Sequence, residues 1–140
     1  MIVRSYTPLD YEHVVALYKQ PELYGGVFDE ARDAEEKLRK RIEADPDAIL
    51  VAQDNGAIVG TVSLIEDGRV SWLFRFCVKK LPNENEIAQT LFENAVASLK
   101  AKGHTQVLVY TPTDKPELHK RYEELDFKKG GDYTCFWKDI

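Results

Sequence analysis

The run from Ala48 to Val78, AILVAQDNGAIVGTVSLIEDGRVSWLFRFCV, leaves the chain little choice of architecture. It holds three apolar stretches rich in Val and Ile, separated by two turn signals. Asp54-Asn55-Gly56 is a tight hairpin, because Asn-Gly tolerates the positive φ angles of a type I′ turn. Asp67-Gly68 makes a second turn. Short turns join antiparallel neighbours, so the run predicts a three-strand meander.

The flanking segments read as follows. Ile2 to Tyr6 alternates like a short strand, and Thr7-Pro8-Leu9-Asp10 offers a turn and an N-cap. Tyr11 to Lys19 is a helix carrying Val14, Val15, Leu17 and Tyr18. A loop from Gln20 to Phe28 contains Pro21 and Gly25-Gly26. Asp29 to Ala44 reads as one charged helix with Leu38 and Ile42 on its apolar side, ended by Asp45-Pro46-Asp47. After the meander, Ile87, Leu91, Ala95 and Leu99 repeat at helical spacing, with Ala88 and Phe92 beside them, and Gly103 stops the helix. QVLVY, ending at Tyr110, predicts a strand, Pro116 to Leu125 a short helix, and Phe127 to Trp137 a strand-like tail. The order is β-α-α-β-β-β-α-β-α-β. Helices of the second half connect strands that would run parallel. The expected class is α/β, with a mixed central sheet and helices on both faces.

The 140 residues are enough for a single domain over 1–140 with a proper core. A formal net charge of −5 argues against a general nucleic-acid binder. MIVRSY enters a strand-like pattern at once, unlike a secretory leader, and no apolar run reaches the length of a membrane span. Cys77 and Cys135 stand far apart in strand-like contexts and read as buried thiols of a reducing compartment. The expectation is a cytoplasmic protein without membrane or nucleic-acid partners. No His or Cys cluster has metal-ligand spacing.

The order of elements resembles the GNAT superfamily of acetyl-CoA-dependent N-acetyltransferases over nearly the whole chain. The residues that carry the resemblance are the Asp54-Asn55-Gly56 hairpin with AIVGTVSL after it, the strand ending at Val78, and RYEELDF near the C-terminus. The resemblance implies that the chain takes acetyl-CoA as cosubstrate and a small-molecule or protein amine as acceptor. In the family, a Q/R-x-x-G-x-G/A loop holds the coenzyme A pyrophosphate on backbone N–H groups. Spacing from Val78 maps that loop onto Asn83, Glu84, Asn85, Glu86, Ile87 and Ala88, of which only Ala88 fits the pattern. The family's Y-x-x-x-G-F maps onto Tyr122 to Phe127, with Asp126 for the glycine, and an asparagine seven residues before the tyrosine is Lys115 here. By the same resemblance Tyr122 would protonate the departing thiolate, a task suited to a phenol with an ordinary pKa of ~10. Phe76 and Val78 would lie along the cosubstrate, with the Val78 amide stabilising the oxyanion.

The loop has two readings. Asn83 and Glu86 have capping-box spacing, in which side chains satisfy the helix start themselves. Alternatively the amides face a pyrophosphate, with Lys79, Lys80, Lys115, Lys120 and Arg121 adding positive charge. Two like charges ~5 Å apart at an effective dielectric of ~20 repel by roughly 3 kcal/mol, so Glu84 and Glu86 work against a phosphate. His119 would be a proton relay or a plain surface histidine; Glu66 and Asp67 a base at the meander tip or ordinary hairpin carboxylates; Cys77 an acyl carrier or a small core hydrophobe. Tyr18, Tyr24, Phe28 and Trp72 would wall an acceptor pocket, or fill core. The tail has room for one full strand and a stub, which predicts a shortened edge covered by a second subunit in a homodimer. Two functions remain: an acyltransferase, or a GNAT-like binding or regulatory domain that has lost normal coenzyme A binding.

Overall fold

Side-chain alternation sorts the three apolar runs into neighbouring strands, and the computed structural model describes them together with the rest of residues 1–20 and 28–140. Strand β1 (Ile2–Ser5) leads through a 3-10 turn (Pro8–Asp10) into helix α1 (Tyr11–Tyr18). Then come α2 (Glu30–Asp33), α3 (Glu35–Ala44), β2 (Ile49–Asp54), β3 (Ala57–Glu66), β4 (Ser71–Val78), α4 (Glu84–Ala101) and α5 (Pro116–Glu124). The sheet has the order β1-β2-β3-β4, every neighbour antiparallel. The hairpin between β2 and β3 turns at Asn55 and Gly56, with φ of 48° and 81°, the positive pair its sequence demands.

Helices α1, α3 and α4 cover the two faces of the sheet. On one face Val14, Leu17 and Tyr18 of α1 and Leu38 of α3 pack on Tyr6, Ile49, Val51 and Cys77. On the other, α4 buries Ile87, Ala88, Leu91, Ala95 and Leu99. It comes close because β3 has Gly60 beneath it: a Cβ there would lie 3.3 Å from both Ile87 and Leu91 side chains. Gly103, at φ 89°, ends the helix. The Gly103 amide donates to Lys100 and the His104 amide to Leu99, the paired bonds of a Schellman cap.

Four expectations are corrected. The charged helix is two, because Ala34 breaks it with an extended ψ of 147°. Asp33 at the break accepts the Asp29 amide and Arg75 on its carboxylate, and the Tyr11 hydroxyl on its carbonyl. QVLVY makes one parallel bridge, Leu108 to Trp72, with N–H···O bonds of 2.9 Å to Ser71 and Leu73. The partner strand follows β4 no further because β4 bulges just beyond, and a bulge bends and twists the strand that carries it. The parallel part of the sheet is thus reduced to that bridge. Among the described residues no ladder includes the tail, and a strand exists only with a partner. Tyr133, Phe136 and Trp137 are exposed there, and so is Cys135, the expected buried thiol.

The chain divides into two compact units, Met1–Tyr110 and Thr111–Ile140. No described helix is long and apolar enough to cross a membrane.

Candidate active site at the end of β4

In the first unit, the carboxyl end of β4 and the start of α4 are only a short loop apart. The local register decides what each strand residue presents. The Lys79 amide donates to Val59 at 2.8 Å, so the Gly60–Val78 pair next to it is a non-hydrogen-bonded one. The N–H and C=O of Val78 therefore point away from β3, to the outer edge of the sheet. Gln20, just past α1, donates its side-chain amide to the Val78 carbonyl at 2.9 Å. The Val78 N–H meets no acceptor among the described residues. Phe76 directs its backbone to the same edge by the same alternation, and both side chains are buried.

The loop then enters α4. Asn83 is the N-cap, as its spacing predicts, but its backbone is at φ −101°, ψ 23° and its side chain caps nothing. The capping box is corrected: the preferred cap geometry is extended, and the Asn83 backbone does not adopt it. The Glu84 amide donates to Leu81 and the Ile87 amide to Asn83. That leaves the amides of Asn85 and Glu86 as the helix-start donors without an intrahelical acceptor. The Asn83, Asn85 and Glu86 side chains are exposed and Glu84 is half-buried, whereas Ile87 and Ala88 face the core as the first buried turn of α4. Lys79 and Lys80 are exposed on the approach.

The carboxylates of the meander tip stand at the opposite end of β4, where Glu66 pairs with Ser71, and are committed. Glu66 lies 2.8 Å from His104 Nε2 and accepts the Gly68 amide; the His104 hydrogen bond holds its pKa below the usual range. Arg69 holds Asp67 down to about 2. Neither is an idle base. Cys77 is 1 % exposed in the α1 face of the core, a packed hydrophobe. Of the expected acceptor walls, Tyr18 is fully buried, and burial pushes its pKa up. Trp72 lies against Tyr110 with ring centroids 4.5 Å apart, and Lys19 sits over Phe28. Tyr24 and the Gly25-Gly26 loop fall outside the described residues.

A residue that sequence reading missed is Arg75. It occupies the bulge of β4 at φ 52° and forks onto Asp33 with bonds of 3.0 and 2.7 Å. Only a positive φ and a non-local partner mark it, and neither can be read from the chain. A hollow of about 320 Å³ opens between β1 and the C-terminal half of α4, far along the helix from the loop. Its charges are engaged, Arg4 with Asp10, Lys102 with Asp45, and Asp47 as acceptor of the Ser5 hydroxyl. It offers no reactive group.

In the second unit, Lys115 is the N-cap of α5 and Pro116 its first residue. His119 donates Nε2–H to the Pro112 carbonyl at 2.7 Å, so that nitrogen is engaged with a group that cannot take a proton. Tyr122 is 7 % exposed in the last turn. The Phe127 amide donates to the Tyr122 carbonyl and the Asp126 amide to Glu123, again a Schellman cap. The two rings meet edge-on at 5.4 Å, the hydrophobic contact that accompanies such caps. The tyrosine-to-phenylalanine spacing is thus the spacing of a helix stop.

Comparison with known proteins identifies the family. The profile of the acetyltransferase (GNAT) domain matches residues 10–136. An acetyltransferase of Pectobacterium atrosepticum is 29% identical over 128 residues, covering 91% of this chain and 88% of the relative. Among solved structures, an aminoglycoside 6'-N-acetyltransferase of Acinetobacter haemolyticus superposes with a TM-score of 0.75 at 16% identity, over 100% of this chain and 99% of that one. The PaiA N-acetyltransferase of Thermoplasma acidophilum, solved with coenzyme A, gives 0.73 at 20% identity, over 88% and 86%. With a domain profile running from α1 into the tail and a relative aligned over most of its length, the chain belongs to the GNAT acetyltransferase family.

Proposed function

We propose that this protein is an acetyl-CoA-dependent N-acetyltransferase acting on a primary amine in the cytoplasm. The observation that carries the reading is the uncapped α4 start: the Asn85 and Glu86 amides face no side chain of their own, a few residues beyond the outward Val78 amide. Donors at a helix start suit a pyrophosphate, and a strand-edge amide suits a thioester carbonyl. In the reaction the amine nitrogen would bond to the thioester carbon, the C–S bond would break, and the proton lost by the amine would pass through solvent, restoring the hydroxyl that protonates the thiolate. In this reading Val78 N–H stabilises the carbonyl oxygen, and the Tyr122 hydroxyl gives the thiolate its proton. Residues 1–140 would make up one catalytic domain, and a homodimer would cover the exposed tail; a monomeric mass at high concentration would remove the dimer.

Glu84 and Glu86 favour the second reading, a GNAT-like domain without normal coenzyme A binding. Calorimetric titration with acetyl-CoA separates the two. Under the first, the ligand stabilises the fold by about 2.7 kcal/mol at a hundredfold excess over its dissociation constant. The absence of heat and of any thermal shift at millimolar ligand would leave the second. Tyr122→Phe should lower kcat far more than it raises KM, since the proton is needed only as the thiolate departs. An unchanged kcat would return Tyr122 to its place in the helix cap.

A further inference from the structure

The outward face of β4 changes at Arg75. Before it, the outward residues are Ser71 and Leu73, whose carbonyl and amide bond Leu108. On the other side, Asp67 N–H bonds the Val70 carbonyl, and the register runs through Leu64–Leu73 to Ser63–Phe74. After Arg75 the register is Thr61–Cys77 and Gly60–Val78, so Arg75 and Phe76 together oppose Val62. Without the extra residue Val59 would face Val78, and the Val78 amide would be spent inside the ladder. With it, Val59 bonds Lys79 and Val78 turns outward.

The residue that makes this switch has a side chain in the left-handed region, which disfavours any residue but glycine. Its guanidinium is pinned on all sides. It forks onto the Asp33 carboxylate, with side chains 7 % and 1 % exposed. It also lies over the Phe74 ring at 4.6 Å and the Tyr18 ring at 5.8 Å. Asp33 is fixed in turn by the Asp29 amide on Oδ2 at 2.8 Å and the Tyr11 hydroxyl on its carbonyl at 3.0 Å. A bidentate, buried fork specifies orientation as well as charge.

We propose that the Arg75–Asp33 pair is a register pin: both are positioning residues that hold the bulge and so aim the Val78 amide at the outer edge. The catalytic consequence rests on the acetyltransferase reading; the register claim does not. Two double variants separate the pin from general packing. Asp33→Ala with Arg75→Ala removes the pair and leaves a residue that resists the left-handed backbone. Asp33→Ala with Arg75→Gly removes the pair but lets the bulge persist unaided. Amide hydrogen exchange by NMR reads the register directly. In the parent chain Lys79 should exchange at least tenfold more slowly than Val78. The alanine double should lose that difference, while Leu91 and Ala95 of α4 keep their protection; the glycine double should retain it. An unchanged Lys79 in the alanine double overturns the pin, and so does equal loss in both doubles.

The carbonyl stretch of bound [13C]acetyl-CoA gives the second readout, by infrared difference. It should shift to lower frequency in the parent and the glycine double, and return to the free value in the alanine double, with coenzyme A affinity unchanged. A shift that survives in the alanine double removes the link from register to carbonyl. A parent chain that binds no acetyl-CoA removes the acetyltransferase reading and leaves the exchange result to decide the pin.

Discussion

Asp126 occupies the one position of the α5 cap where a side chain is a handicap. At φ 64° it is left-handed, where the family's motif commonly has glycine. The resemblance noticed a mismatch there, and the backbone explains it: the cap forms regardless, with both Schellman bonds at 3.0 Å. Aspartate visits this region more readily than most residues, so the strain is modest. Asp126→Gly should therefore stabilise the protein, by about 0.5 kcal/mol after the added chain entropy of glycine is counted. A urea midpoint that falls instead would mean the Asp126 side chain holds the cap together. Tyr6 shows the opposite case at the same scale. Its hydroxyl is buried and meets no acceptor among the described residues, and burial pushes its pKa up, so it stays a neutral, unpaired phenol.

At the scale of elements, the α4 start is where ligand and helix compete for the same amides. Glu86 lies in the first turn and caps nothing, so its charge favours the helix dipole but opposes an arriving phosphate. Glu86→Gly should raise coenzyme A affinity, by about tenfold if ~1.4 kcal/mol of repulsion is relieved. Stability should fall by up to ~1 kcal/mol through chain entropy. Titration and a urea melt of the same variant read the two signs; unchanged or weaker binding would mean the glutamate does not oppose the ligand. These elements differ in how much of them the sequence displays. The meander, its Asn-Gly turn, the apolar stripe of α4 and the Gly103 stop were legible because each follows from neighbours in the chain. The split at Ala34, the bulge at Arg75 and the shortened pairing at Leu108 were not, since each depends on a partner tens of residues away. For the site, sequence spacing found Asn83 at the N-cap and Val78 near the strand end. It missed the empty cap and the Asp33–Arg75 fork, which are matters of backbone angle and tertiary contact.

For the molecule as a whole, the carboxylates set the acid limit. Asp10 is held below its usual range by the Arg4 hydrogen bonds, and Glu66 by His104. Burial pushes Asp45 up, but the Lys102 and Asp47 bonds outweigh it and hold it low. In each case the unfolded chain binds protons more readily than the folded one. Their stabilisation is therefore complete above the ordinary carboxylate range, about 4, and is lost as pH falls through the lower folded values. Urea midpoints should be level near neutrality and drop below pH ~4. Arg4→Gln should cost about 1–2 kcal/mol at pH 7 and less at pH 3, because Asp10 of the unfolded chain then binds a proton that the folded, Arg4-paired carboxylate resists; an equal cost at both would assign Arg4 a packing role alone. The two tryptophans fall one in each unit, Trp72 half-buried against Tyr110 and Trp137 at 84 % exposure. An indole already in water emits much the same before and after denaturation. In the monomer Trp137 therefore supplies a steady, red-shifted background, and the change in emission along a melt comes from Trp72. At concentrations where the chain is monomeric, intrinsic fluorescence will consequently time the loss of the Met1–Tyr110 unit and stay nearly blind to the other.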